Sequence, residues 1–113
     1  MTTATTPDVL SEDERSRFAV ITSRFRAAIA CDAVEIRSAR VDLRARQREG
    51  SALAPVIQSR LHHRRVRARA RLIAYGLHRG VALERIEYGR TTMDDLPWHV
   101  RTLVPRVARE AAG

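Results

Sequence analysis

Few side chains in this sequence are spaced for covalent or metal chemistry. His62 and His63 are adjacent, so on a helix they point to different sides. The residues four positions on are Val66 and Arg67, neither of them a ligand, so no two-histidine metal face exists there. His78 and His99 stand alone. Cys31 lies near Ala30 and Ala33 with no neighbouring histidine to hold a thiolate, and reads as a small hydrophobe inside the fold. One cysteine also excludes an intramolecular disulfide and suits a reducing cytoplasm. Asp94 and Asp95 read as a helix cap rather than a Mg²⁺ site. Glu84 and Glu87 read as partners for Arg85, Arg90 or a basic helix. No Gly-rich phosphate loop, Gly-x-Ser-x-Gly or His-Glu-x-x-His occurs. These residues point to no enzyme, no metal and no cofactor.

What remains is arginine. The chain has 113 residues, with 21 basic side chains, all of them Arg, against 13 acidic ones, for a net charge of +8. The excess is local. Residues 51–80 hold seven Arg, three His and no carboxylate, whereas residues 81–113 hold five of each sign. A block of one sign repels itself until something anionic neutralises it. The guanidinium fork binds phosphate oxygens two at a time and stacks on bases. Arg60, Arg64, Arg67 and Arg71 repeat at spacings of four and three, which returns them to one side of a helix. Arg65 and Arg69 widen that surface, and Arg37, Arg40 and Arg44 form a second stripe upstream.

The elements that must carry these stripes are helices. Ser11-Glu12-Asp13-Glu14 has the pattern of a capping box, and three acids suit the positive end of the helix dipole. No Gly or Pro follows until Gly50. Phe18, Ile21, Phe25, Ile29, Ala33, Ile36 and Leu43 mark one apolar stripe, which predicts a long helix over 12–48 with Cys31-Asp32 as its one weak point. Pro55 can sit in the first turn of a second helix, 55–79, whose apolar face is Ile57, Leu61, Ala68, Leu72 and Tyr75. A short connection between them favours an antiparallel hairpin. Val100, Leu103, Val104 and Val107 predict a last helix over 97–111, kinked or split by Pro105. Trp98 reads as a core or interface anchor, and with Tyr75 and Tyr88 as a lesser candidate for stacking on bases. Residues 1–10 read as a disordered tail without the features of a secretory leader, and residues 11–113 as one domain. No apolar run approaches the ~20 residues that span a bilayer.

Residues 72–89 resemble a helix-turn-helix. Gly76 stands where helices cross closely, Gly80 at the turn, and Val81 and Ile86 at apolar anchor positions. Arg79 stands where an apolar residue is usual and Gly89 where a second anchor belongs. Glu84 and Glu87 on the second helix repel phosphates, so the unit reads as a structural corner ahead of a DNA-reading head.

The class expected is all-α: a long antiparallel helical hairpin with short C-terminal helices. It is expected as an oligomer, because 17 of the apolar residues are Ala and the core is thin. The function expected is non-enzymatic, cytoplasmic nucleic-acid binding, with DNA ahead of RNA. Arg60, Arg64, Arg65, Arg67, Arg69, Arg71, Arg37, Arg40 and Arg44 contact phosphates in that reading, and no membrane is involved. Small regulators of phages or mobile elements, and subunits of nucleoprotein machines, share this make-up; that is analogy alone. The competing expectation is a helical assembly protein whose Arg stripe meets carboxylates. The stripe separates the two by being open to solvent or matched from within.

Overall fold

The computed structural model describes residues 10–113, and all but the last residue of the expected tail 1–10 lies outside them. The class is all-α: five α-helices and one 3₁₀ turn, with no strand among the described residues. Helix α1 runs Glu12–Arg48 without a break at Cys31-Asp32. Ser11 Oγ accepts the Glu14 N–H at 3.2 Å, and Glu14 Oε1 accepts the Ser11 N–H at 3.4 Å, so the capping box forms in full. At the other end the Ser51 N–H closes on the Arg46 carbonyl at 2.9 Å. Helix α2 follows at Ala54–His78, with Pro55 in its first turn.

Helices α1 and α2 lie side by side and antiparallel. Contacts step along them from Thr22 with His78, through Arg26 with Tyr75 and Asp32 with Arg71, to Glu35 with Arg64. Gly80, at φ +80°, supplies the left-handed turn after α2, and the Val81 N–H closes on the Gly76 carbonyl at 2.9 Å. Helix α3, Leu83–Ile86, is a single turn. The 3₁₀ turn Met93–Asp95 leads to α4, Trp98–Arg101, and α5, Leu103–Ala112. Pro105 explains the split between the last two. It has no N–H, and its ring opposes the carbonyl four residues back, that of Arg101, where α4 ends.

The core sits at one end of the molecule, where α4 and α5 close over the base of the hairpin. Phe25, Ile73, Val100 and Val107 are its largest fully buried side chains. At the base α2 is central: α1 packs on one side, and α3, α4 and α5 pack on others. Two faces of α2 are therefore covered where the periodicity anticipates one. Leu61 is buried as expected, but Leu72 is half exposed and Ala70, Ile73 and Ala74 take the buried positions. Arg71, expected in solvent, is only 8% exposed.

Other placements are corrected as well. Trp98 is 69% exposed, which overturns a core role for it though not an interface one, because Leu96 and Val100 on either side of it fill the core. Cys31 is exposed, with its Sγ 3.8 Å from Glu35 Oε1. Away from the core the hairpin projects as two helices alone. The molecule measures 66 × 30 × 19 Å, and its radius of gyration is 17.7 Å. A compact chain of this length would have a radius of about 13 Å.

Candidate nucleic-acid interface

The basic row of α2 does not stand open along its length. Arg64 Nη1 reaches Glu35 Oε2 of α1 at 2.6 Å. Arg67 Nη2 donates to both oxygens of Glu110 in α5 at 2.6 Å. Arg69 Nε donates at 3.1 Å to Glu87, at the end of α3. Arg71 is paired with Asp32 of α1, and Glu110 stands 3.7 Å from its other terminal nitrogen. Four of the six expected phosphate-binding arginines of this helix are thus matched from within, by carboxylates of three different elements. The pairs of Arg64 and Arg67 are half exposed and add little stability, but they cancel the field these arginines would offer a ligand.

Most of the net charge lies instead at the hairpin tip. Residues 37–65 contain eight Arg and two carboxylates, Asp42 and Glu49. Arg46 is paired with Asp42 at 3.4 Å. Arg37, Arg40, Arg44, Arg48, Arg60 and Arg65 have no ion pair among the described residues.

The two sides of the tip differ in kind. One side is a groove of about 390 Å³ lined by Arg40, Arg44 and Gln47 from α1 and by Gln58, His62 and Arg65 from α2, with Leu43 and Leu61 between them. Each helix contributes positions i, i+4 and i+7, which share a face, and the antiparallel register sets one triplet against the other. The His99 ring of α4 lies 6.1 Å from that of His62. The groove has three guanidinium groups, two amides, an imidazole and no carboxylate. It can surround a phosphate or another oxyanion with donors from two helices. The groove on the opposite side, about 460 Å³, sets Glu35 and Asp42 beside Arg60 and Arg64 and balances its own charge.

No family model, no curated protein and no solved structure matches the chain.

Of the arginines expected to bind phosphate, the fold brings Arg40, Arg44 and Arg65 together, leaves Arg37 exposed beside them, and places the exposed Arg60 on the opposite side, in the charge-balanced groove. It assigns Arg64, Arg67, Arg69 and Arg71 to internal ties. Gln47, Gln58 and His62 were not among the expected contacts. The signal for them lies in the matching triplets of the two arms, which become a pair only once the hairpin register is known.

The helix-turn-helix resemblance resolves into a corner. A Cβ at Gly76 would lie 2.5 Å from Ile86 Cδ1, so this glycine admits the close crossing that the motif implies. Helix α3 has only four residues, however, and Glu87 beyond it is tied to Arg69. One turn offers no length with which to read a groove. Asp95 caps the 3₁₀ turn. The Thr92 N–H and hydroxyl donate to its carboxylate at 2.8 and 2.9 Å, and both hold its pKa below the usual value. Tyr75 is likewise occupied, its hydroxyl accepting the Arg26 Nε–H at 3.1 Å. Among the described residues no cluster of His, Cys, Asp or Glu could hold a metal, and no helix is long and apolar enough to cross a membrane.

Proposed function

We propose that the chain is a non-enzymatic, self-associating protein that grips the phosphate backbone of nucleic acid, duplex DNA ahead of RNA, with the tip of its helical hairpin. One observation carries this reading: the groove in which Arg40, Arg44 and Arg65 converge from two helices with no carboxylate among them. Arg37, three residues before Arg40 on α1, extends the positive surface along the tip. The long hairpin works as an arm, with its base held by the core and its charged end projecting. Binding is mostly electrostatic, because each neutralised phosphate releases condensed counterions, and it depends little on base sequence.

The test is a salt series on duplex DNA, single-stranded DNA and RNA. Replacing Arg40 and Arg44 by Ala should flatten the log K against log salt slope by about two on duplex DNA, alike for unrelated sequences. Replacing Arg67 by Ala should leave the slope where it was.

The internal pairing of Arg64, Arg67, Arg69 and Arg71 favours a second reading, a helical assembly protein whose arginines hold carboxylates. A wild-type chain without affinity for any nucleic acid at low salt selects that reading and rejects the first.

A further inference from the structure

The outer face of α1 is apolar, exposed and covered by nothing in the fold. Val20 is 48% exposed, and Val34 and Val41 are 63% exposed each. With Ala27 they stand seven residues apart, and seven residues make two helical turns less about 20°, so they form one slowly drifting seam. Val34 follows the buried Phe25 by nine residues, about 900° of rotation, and therefore lies diametrically opposite the core-facing stripe. Shallow concavities flank the seam at both ends, beside Val20 and Ala27 and beside Val34 and Val41. Phe18, Ile21 and Phe25, among the residues most in want of apolar partners in the sequence, turn instead toward α2 and α5.

The same seven-residue series continues to Asp13 at one end and Arg48 at the other. Around them the first turn of α1 carries Glu12, Asp13 and Glu14, and the last carries Arg46 and Arg48. The series is self-complementary when reversed. Set antiparallel to a copy of itself, it brings Val20 beside Val41, Ala27 beside Val34, and the acidic end against the basic end. A parallel copy would stack acid on acid and arginine on arginine.

We propose that this face is the interface of an antiparallel homodimer built on α1, with the twofold axis passing beside residues 30 and 31. This deepens the self-association in the functional reading above and holds whether or not the tip binds nucleic acid. If both hold, a twofold perpendicular to the paired α1 helices leaves the two tip grooves on one side of the dimer. At 1.5 Å per residue they are separated by about 38 Å along the helices. That is close to one turn of a DNA duplex, about 34–36 Å.

Sedimentation of the full chain at tens of micromolar should show a dimer. Val34→Glu, an exposed substitution, should weaken it by at least about a hundredfold, since the change enters the interface twice. The helical circular-dichroism signal should persist in that variant. In a Cys31→Ser background, a chain carrying Val20→Cys mixed with one carrying Val41→Cys should be joined by a short bis-maleimide far better than either chain with itself. A monomeric wild type overturns the proposal together with the self-association it deepens. A dimer that survives Val34→Glu, or one in which Val20→Cys joins best to itself, overturns this interface while leaving self-association standing. Neither result bears on the salt series, so loss of the dimer and loss of nucleic-acid binding are told apart.

Discussion

Arg64 and Arg71 stand on the same row of α2, yet their surroundings make them different residues. Arg71 and Asp32 keep 10% and 15% of their side-chain surface exposed, whereas Arg64 and Glu35 keep nearly half. Removing one charge of a buried pair strands the other in a poorly solvated site. Asp32→Ala should cost about 2–3 kcal/mol, at or below the lower end for fully buried pairs because Glu110 remains near Arg71. Glu35→Ala should cost less than about 1 kcal/mol. Urea unfolding of the two variants checks the ordering, and equal effects would contradict it.

His78 gives a pH dependence. Its ring stacks on Phe18 at 4.1 Å and lies 5.5 Å from Phe25. His78 Nε2 lies 3.0 Å from Thr22 Oγ1, within hydrogen-bond distance, and Thr22 Oγ1 lies 2.9 Å from the Phe18 carbonyl. Burial lowers the imidazole pKa below 6.5, with the Phe18 carbonyl acting in the other direction. The unfolded chain therefore takes up this proton at higher pH than the folded one. The His78 contribution is complete above the unfolded value, declines as pH falls through it, and stops changing below the folded value. Unfolding midpoints measured from about pH 8 to about pH 5 should fall, and His78→Gln should flatten that fall.

At the scale of elements, the crossing of α2 with α3 depends on the missing side chain at Gly76. Ile86 Cδ1 and Cγ1 would lie 2.5 and 2.9 Å from a Cβ there. Gly76→Ala gains about 1 kcal/mol of helix propensity and loses more to overpacking, for a net cost of about 1 kcal/mol. Ile86→Val removes the nearest methyl group. The double variant should therefore be more stable than the sum of the singles implies, by about 1 kcal/mol. Additive effects would show that the helices separate rather than collide.

At the scale of the molecule, packing and charge are segregated. Apart from Leu61, the buried apolar residues belong to the cluster at the base, while the tip is two helices carrying most of the net charge. Regions with few buried contacts open locally at less than the global free energy. Amides of residues 40–60 should exchange hydrogen well before those around Ile73 and Val104, and an anion in the tip groove should slow them selectively. Uniform protection along α1 would show instead that the tip is braced throughout its length.

Much of this was legible in local sequence. The Ser11–Glu14 cap, the unbroken run to Gly50, Pro55 in a first turn, the turn at Gly80 and the break before Pro105 each depend on residues within about one helical turn of one another. The all-α class follows from them. The arginine count and its excess are likewise properties of the chain. Which arginines stay open is not. The partners of Arg64, Arg67 and Arg71 lie 29, 43 and 39 positions away in sequence. They are brought near only by the register of the hairpin and the return of α5 across it. The apolar face of α2 was misassigned for the same reason: periodicity describes one covered side, and a central helix has two. Sequence therefore determined that the chain would be helical and strongly basic. Tertiary structure decided where that charge survives, because a carboxylate cancels an arginine through space, whatever their separation along the chain.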